Sequence, residues 1–242
     1  MEREAYDAMA QIETTHWWFV GRRAIIDSLI ARRIAPPTGA RILEAGCGTG
    51  GNFELLRRFG RVQACEYDDS AREIARARSG LDVKPARLPD GLDAIDPPFD
   101  LIALFDVLEH VEEDVASLTS LAALLAPGGR IMLTVPALQM LWSSHDEQHH
   151  HHRRYSRANL AGVIDKAGLR VDYLSFFNSF LFPAAVAQRL ASRIRNSRAQ
   201  LDDVPPPRLN AALTRIFASE RHVLARGSLP VGLSLCAICS AR

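Results

Sequence analysis

Apolar and polar residues alternate along this chain in blocks that switch repeatedly between strand and helix periodicity. Residues 99-105, FDLIALF, form a nearly continuous apolar run, as expected of a strand covered on both faces. RILEA (41-45), RVQACEY (61-67), the weaker LDVKPA (81-86) and RIMLTVP (130-136) read as four more strands. Between them the pattern predicts helices at about 52-59, at 70-79 with Ser70 as N-cap, and through EEDVASLTSLAALLA, which starts acidic and stops at Pro127-Gly128-Gly129. Strands that alternate with helices predict a parallel, doubly wound α/β sheet, whose ligand sits beyond the C-terminal strand ends near the first crossover. Past Pro136 the alternation breaks into a His-rich loop, a helix (156-167), a strand (169-176), a basic helical region and a last strand (231-240). HWWFVGRRAIIDSLIARRI, near the N-terminus, carries apolar residues at i, i+3 and i+4 and reads as an amphipathic helix packed on the sheet.

Composition narrows the function classes. A chain of 242 residues with 48% hydrophobic content makes one large domain, and a net charge of +1 argues against a general nucleic-acid binder. The N-terminal stretch is charged and lacks an apolar h-region, so no signal peptide is expected. Cys236-x-x-Cys239 lies in a stretch that reads as a buried strand, without further ligands nearby in sequence. The expected setting is reducing and cytoplasmic.

EAGCGTGG (44-51) reads as two different nucleotide loops. Gly46, Gly48 and Gly51 fit the G-x-G-x-x-G dinucleotide fingerprint, whereas Gly46, Gly48 and Gly50 fit the E-x-G-x-G-x-G loop of methyltransferases that use S-adenosylmethionine (SAM). Glu66, twenty residues past Gly46 at the end of the second strand, suits the ribose in both readings. A carboxylate at Glu44 would repel a pyrophosphate and is compatible with the cationic SAM, although hydrogen bonding to the loop is an alternative role for it.

ILEAGCGTGGN, the acidic end of strand two, FDLIALFDVLEHVEED and LLAPGGRIMLTVP occur in an order and spacing that resemble class I SAM-dependent methyltransferases over about residues 40-137. The chain looks closest to a bacterial branch with HWWFxxRR, here His16-Arg23, and HHRRY, here His151-Tyr155. Glu66 stands where that branch more often has Asp. The resemblance implies a Rossmann-like sheet, mostly parallel with an antiparallel last strand. It divides the chain into an N-terminal helical lid (1-35), a SAM-binding core (36-137), and a remainder (138-242) that carries a substrate-side loop, a basic helical insertion and the final strands. It further implies SAM as cofactor, S-adenosylhomocysteine as product, and a binding set of Glu44, Gly46, Cys47, Gly48, Gly50, Glu66, Tyr67, Leu88 and Asp106. Arg87 and Leu88 would flank the adenine, and Asp106 would face the methionine end.

SSHDEQHHHHRRYS invites a metal reading. Consecutive residues in an extended chain point to opposite sides, however, and Asp146 and Glu147 would have to fold back, so no metal is assigned. As an active-site loop it supplies His151 or His152 as the base for a hydroxyl acceptor, with Tyr155 positioning the substrate or the loop. The alternative is that Arg153, Arg154 and Tyr155 only pin the loop. Trp17 and Trp18 read as core or lid, with His16 nearby. The uncharged segment 174-187 and the arginine-rich residues after it are too short and interrupted to span a bilayer. They read as a core strand with a solvated helix or homodimer contact, or as a peripheral membrane contact through 174-198. The expected activity is O-methylation of a small-molecule, glycan or lipid-linked acceptor, with no nucleic-acid partner. The rivals are an NAD-dependent oxidoreductase and a non-catalytic SAM-binding module.

Overall fold

The computed structural model describes residues 3-187 and 204-242. Seven strands make one sheet: β1 (Ala40–Ala45), β2 (Gly60–Glu66), β3 (Lys84–Pro85), β4 (Phe99–Phe105), β5 (Leu125–Pro136), β6 (Leu169–Phe177) and β7 (Ser234–Ala241). They are ordered β3-β2-β1-β4-β5-β7-β6. β1 pairs in parallel with both β2 and β4, and β7 runs antiparallel between β5 and β6. The expected mixed Rossmann-like sheet is therefore present. Its switch point falls at β1, where the chain leaves first toward β2 and later returns on the other side to β4.

Successive residues of the central strands point to opposite faces, and both faces are buried. Leu43, Ile102, Leu104 and Leu133 face α5 (Asp114–Ala122) and α7 (Arg157–Lys166), in one cluster with Leu118, Leu160 and Ile164. Ile42, Leu101, Ala103 and Met132 face the other way, against α2 (Trp17–Leu29) and α8 (Pro207–Leu224). Gly21 of α2 lets these two helices close on each other: a Cβ there would lie 2.5 Å from Cδ1 of Phe217, which is fully buried. Asn210 of α8 caps the start of α2, accepting from Trp17 N at 2.8 Å and donating to the Thr15 carbonyl at 2.8 Å.

Three expectations need correction. α4 (Asp69–Ser79) is capped by Asp68, not Ser70, because the Asp68 carboxylate accepts from both Ser70 N and Ala71 N. The Pro127-Gly128-Gly129 stretch belongs to β5, where the pairing with β4 shifts register between Phe99 and Leu101. The N-terminal helix covers nearly all of its pattern but not as one regular α-helix: α2 widens into a π-helical turn at Ile30–Ile34 that ends in Ala35 with φ 47°. A separate helix, α1 (Arg3–Ile12), precedes it, and a short α3 (Phe53–Arg57) follows the glycine loop. No described helix is long and apolar enough to cross a membrane. The arginine-rich stretch at 188-198 lies outside the described residues, as does much of the proposed membrane contact.

Candidate cofactor and acceptor site

The ends of β1, β2 and β4 open into one cavity of about 1980 Å³. Gly46 sets the first wall. Its φ is 72°, and a Cβ would meet Val107 Cγ2 at 2.5 Å, so only glycine allows the β1 turn to pass under the β4 loop. Glu66 ties the second wall to the first, because its carboxylate accepts from Gly48 N at 2.8 Å and from Asp68 N at 2.9 Å. Burial raises the Glu66 pKa, with the two amides opposing that rise. Each carboxylate oxygen still has a lone pair for a ribose hydroxyl. Cys47, Tyr67, Arg87 and Leu88 also line this end, with the Arg87 guanidinium 5.5 Å from the centre of the Tyr67 ring.

α1 covers the loop. Met9 Cε lies 3.7 Å from where a Gly48 Cβ would be, and Tyr6 lines the same end. The Glu13 carboxylate accepts from Thr49 Oγ1 at 3.0 Å and pairs with Arg78, and Arg23 donates to the Glu13 carbonyl at 2.5 Å. The sequence reading missed this helix as a separate element. Glu13, a buried acid among polar neighbours in sequence, carries no local sign of the partners it meets.

Glu44 departs from its expected role. It does not line the cavity but lies behind the loop at 1% exposure, where Asn52 Nδ2 donates to its Oε1 at 2.8 Å. Burial, partly offset by Asn52, pushes its pKa up to about 8. Asp106 does face the cavity. It has φ 54°, its amide donates to the Thr134 carbonyl at 2.9 Å, and its carboxylate pairs with the buried Arg22. Arg22 also donates to Thr134 Oγ1 at 3.0 Å and stacks 5.0 Å from the Trp18 ring centre.

The second half of the cavity carries the histidines. The loop is not extended throughout: α6 (Ser144–Gln148) turns Asp146 back toward the run. Asp146 is fully buried and meets His151 Nδ1 at 2.9 Å. Arg154 grips the same carboxylate twice, Nε to Oδ1 at 2.7 Å and Nη2 to Oδ2 at 2.8 Å, and Ser143 N adds a bond at 2.9 Å. Burial opposes the charge on Asp146, but His151 and Arg154 outweigh it and hold the carboxyl well below the usual range. His110, on the turn after β4, stacks edge-on against His151 with ring centres 4.6 Å apart. Burial, with His151 and His149 adding to it, lowers the His110 pKa to about 3. Beside them Glu109 is 1% exposed, and burial together with nearby Asp106 raises its pKa well above the carboxylate range.

Of the three residues expected to be catalytic, His151 and His152 line the cavity, whereas Tyr155 does not. Tyr155 is 1% exposed and sends its hydroxyl to Asp114 Oδ2 at 3.0 Å. Together with Arg153, which donates to Asp114 at 2.8 Å, it fastens the loop to the body. Trp17 and Trp18 line the cavity and pack on the core behind it.

A family profile described as "Methyltransferase domain" matches residues 19-174. The chain therefore belongs to this methyltransferase family, a family of enzymes, and its cofactor is SAM. It is 37% identical over 111 residues to a ubiquinone biosynthesis O-methyltransferase of Xylella fastidiosa, covering 43% of this chain and 45% of the relative. The chain thus spans under half the length of that relative. It is 27% identical over 161 residues, 65% of this chain and 61% of the other, to a Mycolicibacterium smegmatis protein named "Probable S-adenosylmethionine-dependent methyltransferase". Among solved structures, the methyltransferase in complex with the Haloferax volcanii Trm112 methyltransferase activator shares the fold. Its TM-score is 0.60 at 18% identity, over 99% of this chain and 96% of that one.

The residues present fit SAM. Gly46, Cys47, Gly48, Glu66 and Asp106 of the expected set line one cavity, whereas Glu44 and Gly50 do not, Gly50 being turned toward Phe53 and Ala75. When bound, SAM supplies a methyl group already activated by its sulfonium, so the protein's task is to align and desolvate the acceptor.

Proposed function

We propose that this protein transfers the methyl group of SAM to a hydroxyl oxygen on a small-molecule, glycan or lipid-linked acceptor. One observation carries the reading: Asp146 binds Nδ1 of His151, which lines the same cavity as the glycine loop, and this fixes the ring so that Nε2 is the nitrogen able to present a lone pair. A neutral amine acceptor would need no such group, whereas a hydroxyl must lose its proton as its oxygen is methylated. The Nε2 lone pair assists that loss, either by taking the proton or by holding a cation that acidifies the hydroxyl. His152, which also lines the cavity, is the second candidate for the direct role. The name carried by the Xylella fastidiosa relative supports oxygen as the acceptor atom.

Glu66 would hold the ribose and the loop from Gly46 to Thr49 the methionine end, with Asp106 beside it. The test has two parts. S-adenosylhomocysteine should bind in isothermal titration, with affinity falling at least tenfold in Glu66→Ala, and NAD should not bind. Radiolabelled methyl from SAM should then appear on members of a phenol, catechol and sugar-alcohol panel. A wild-type level of transfer in the His151→Ala, His152→Ala double variant would falsify the role given to this loop. Tight S-adenosylhomocysteine binding with no transfer to any acceptor class would favour a non-catalytic module.

A further inference from the structure

Glu109, His110 and His151 come from two separate loops, and they are the one group among the described residues able to hold a metal ion. Their ligand atoms all lie within 4.8 Å of one another. From these residues we infer a binding site for a first-row divalent transition metal, whose cation takes the acceptor oxygen in its open positions. The inference rests on the methyltransferase reading above and selects the cation route for the hydroxyl proton.

Four observations carry it. The donor set of two imidazoles and one carboxylate suits Zn²⁺, Mn²⁺, Fe²⁺ or Co²⁺ and leaves positions free for substrate. Glu109 Oε2 is buried without a hydrogen-bond partner, an arrangement that costs free energy unless something positive completes it. Both histidines have the supporting bonds that ligating imidazoles need: His151 Nδ1 is held by Asp146, and His110 bonds to the backbone of His149. Asp146 is itself clamped by Arg154, so the orientation of His151 is fixed two bonds deep. The site lies in the same cavity as the glycine loop, beyond Asp106. The histidine run alone argued against a metal because its members alternate in direction. The structure instead draws one of them to a Glu-His pair on another turn.

The chemistry balances without a redox partner. The acceptor hydroxyl coordinates the cation, and its O–H bond breaks with the proton leaving to water. The oxygen then forms a bond to the methyl carbon as the carbon–sulfur bond breaks. The electron pair of that bond stays on sulfur, which leaves the neutral thioether of S-adenosylhomocysteine.

The test uses the full chain, dialysed against EDTA and then titrated with Co²⁺ alone. The expected result is about one Co²⁺ per chain, with visible d–d absorption that falls at least tenfold in His110→Ala and in Glu109→Gln. Both variants should keep S-adenosylhomocysteine affinity within about threefold of wild type, which shows that they are folded. Absence of a Co²⁺ spectrum in wild-type protein that binds S-adenosylhomocysteine would remove the cation and leave the methyltransferase reading standing. So would a spectrum indifferent to both substitutions. Loss of S-adenosylhomocysteine binding by wild type would count against the methyltransferase reading itself. Methyl transfer, once an acceptor is found, should drop at least tenfold on chelation and return with Mn²⁺ or Zn²⁺.

Discussion

Arg154 holds both oxygens of Asp146, through Nε at 2.7 Å and Nη2 at 2.8 Å, where neither side chain is exposed beyond 5%. Removing one member of such a pair leaves the other charge buried and uncompensated, at a cost of about 3–5 kcal/mol. Arg154→Met should therefore lower unfolding free energy by that amount in urea denaturation, and Arg154→Lys by less. A loss under 1 kcal/mol in the Met variant would mean that the pair is hydrated in solution.

Glu44 makes stability depend on pH in the alkaline direction. Its pKa rises from 4.5 to about 8 on folding, so the folded state prefers the protonated acid. The stability linked to that proton is complete below about pH 4.5 and is lost as pH rises through 8. The difference is on the order of 5 kcal/mol at most. Glu44→Gln keeps an acceptor for Asn52 and removes the titration. The variant should match wild type near pH 5 and exceed it increasingly toward pH 8.5, as read from denaturant midpoints at each pH. Parallel pH profiles for the two proteins would contradict the assignment.

Gly46→Ala should abolish S-adenosylhomocysteine binding. The added Cβ demands an unfavourable positive φ and meets Val107 at 2.5 Å, so the turn must shift away from the β4 loop. Titration calorimetry on a variant whose circular dichroism matches wild type would check this. Affinity within threefold of wild type would show that the turn tolerates the methyl group.

Phe217 fills the seam between α2 and α8, stacked on Phe177 with ring centres 6.1 Å apart and closed by Gly21. Phe217→Ala should cost about 3–5 kcal/mol. Because the same seam carries Trp17 into the cavity wall, the variant should also weaken acceptor binding more than cofactor binding. Equal losses in both affinities would indicate general unfolding instead.

Much of this arrangement was legible in the sequence, for identifiable reasons. The sheet announced itself through continuous apolar strands such as Phe99–Phe105, and Glu66 and Asp106 sit at strand ends whose positions follow from that periodicity. What stayed hidden depends on contacts between distant residues. Glu44 reads from its charge either as a neighbour of the cationic cofactor or as a hydrogen bond to the loop, and only its contact with Asn52 outside the cavity decides for the second kind of role. Tyr155 reads as equally able to face substrate or body until Asp114, forty-one residues earlier, is seen to hold its hydroxyl. Asp146 required the turn of α6, which five polar residues with no apolar face do not announce. Glu109 meets His151 only because two loops from different strands share one sheet edge.

The clasp of Glu13 on Thr49 and Arg78 bears on the timing of turnover. A cofactor seated against Gly48 would lie beneath Met9, so loosening the Glu13 bonds, as in Glu13→Gln, should speed S-adenosylhomocysteine release in a stopped-flow displacement experiment. Product residence time would then be a property of a helix rather than of the reacting atoms. The pace of the whole cycle would be set at the roof of the cavity.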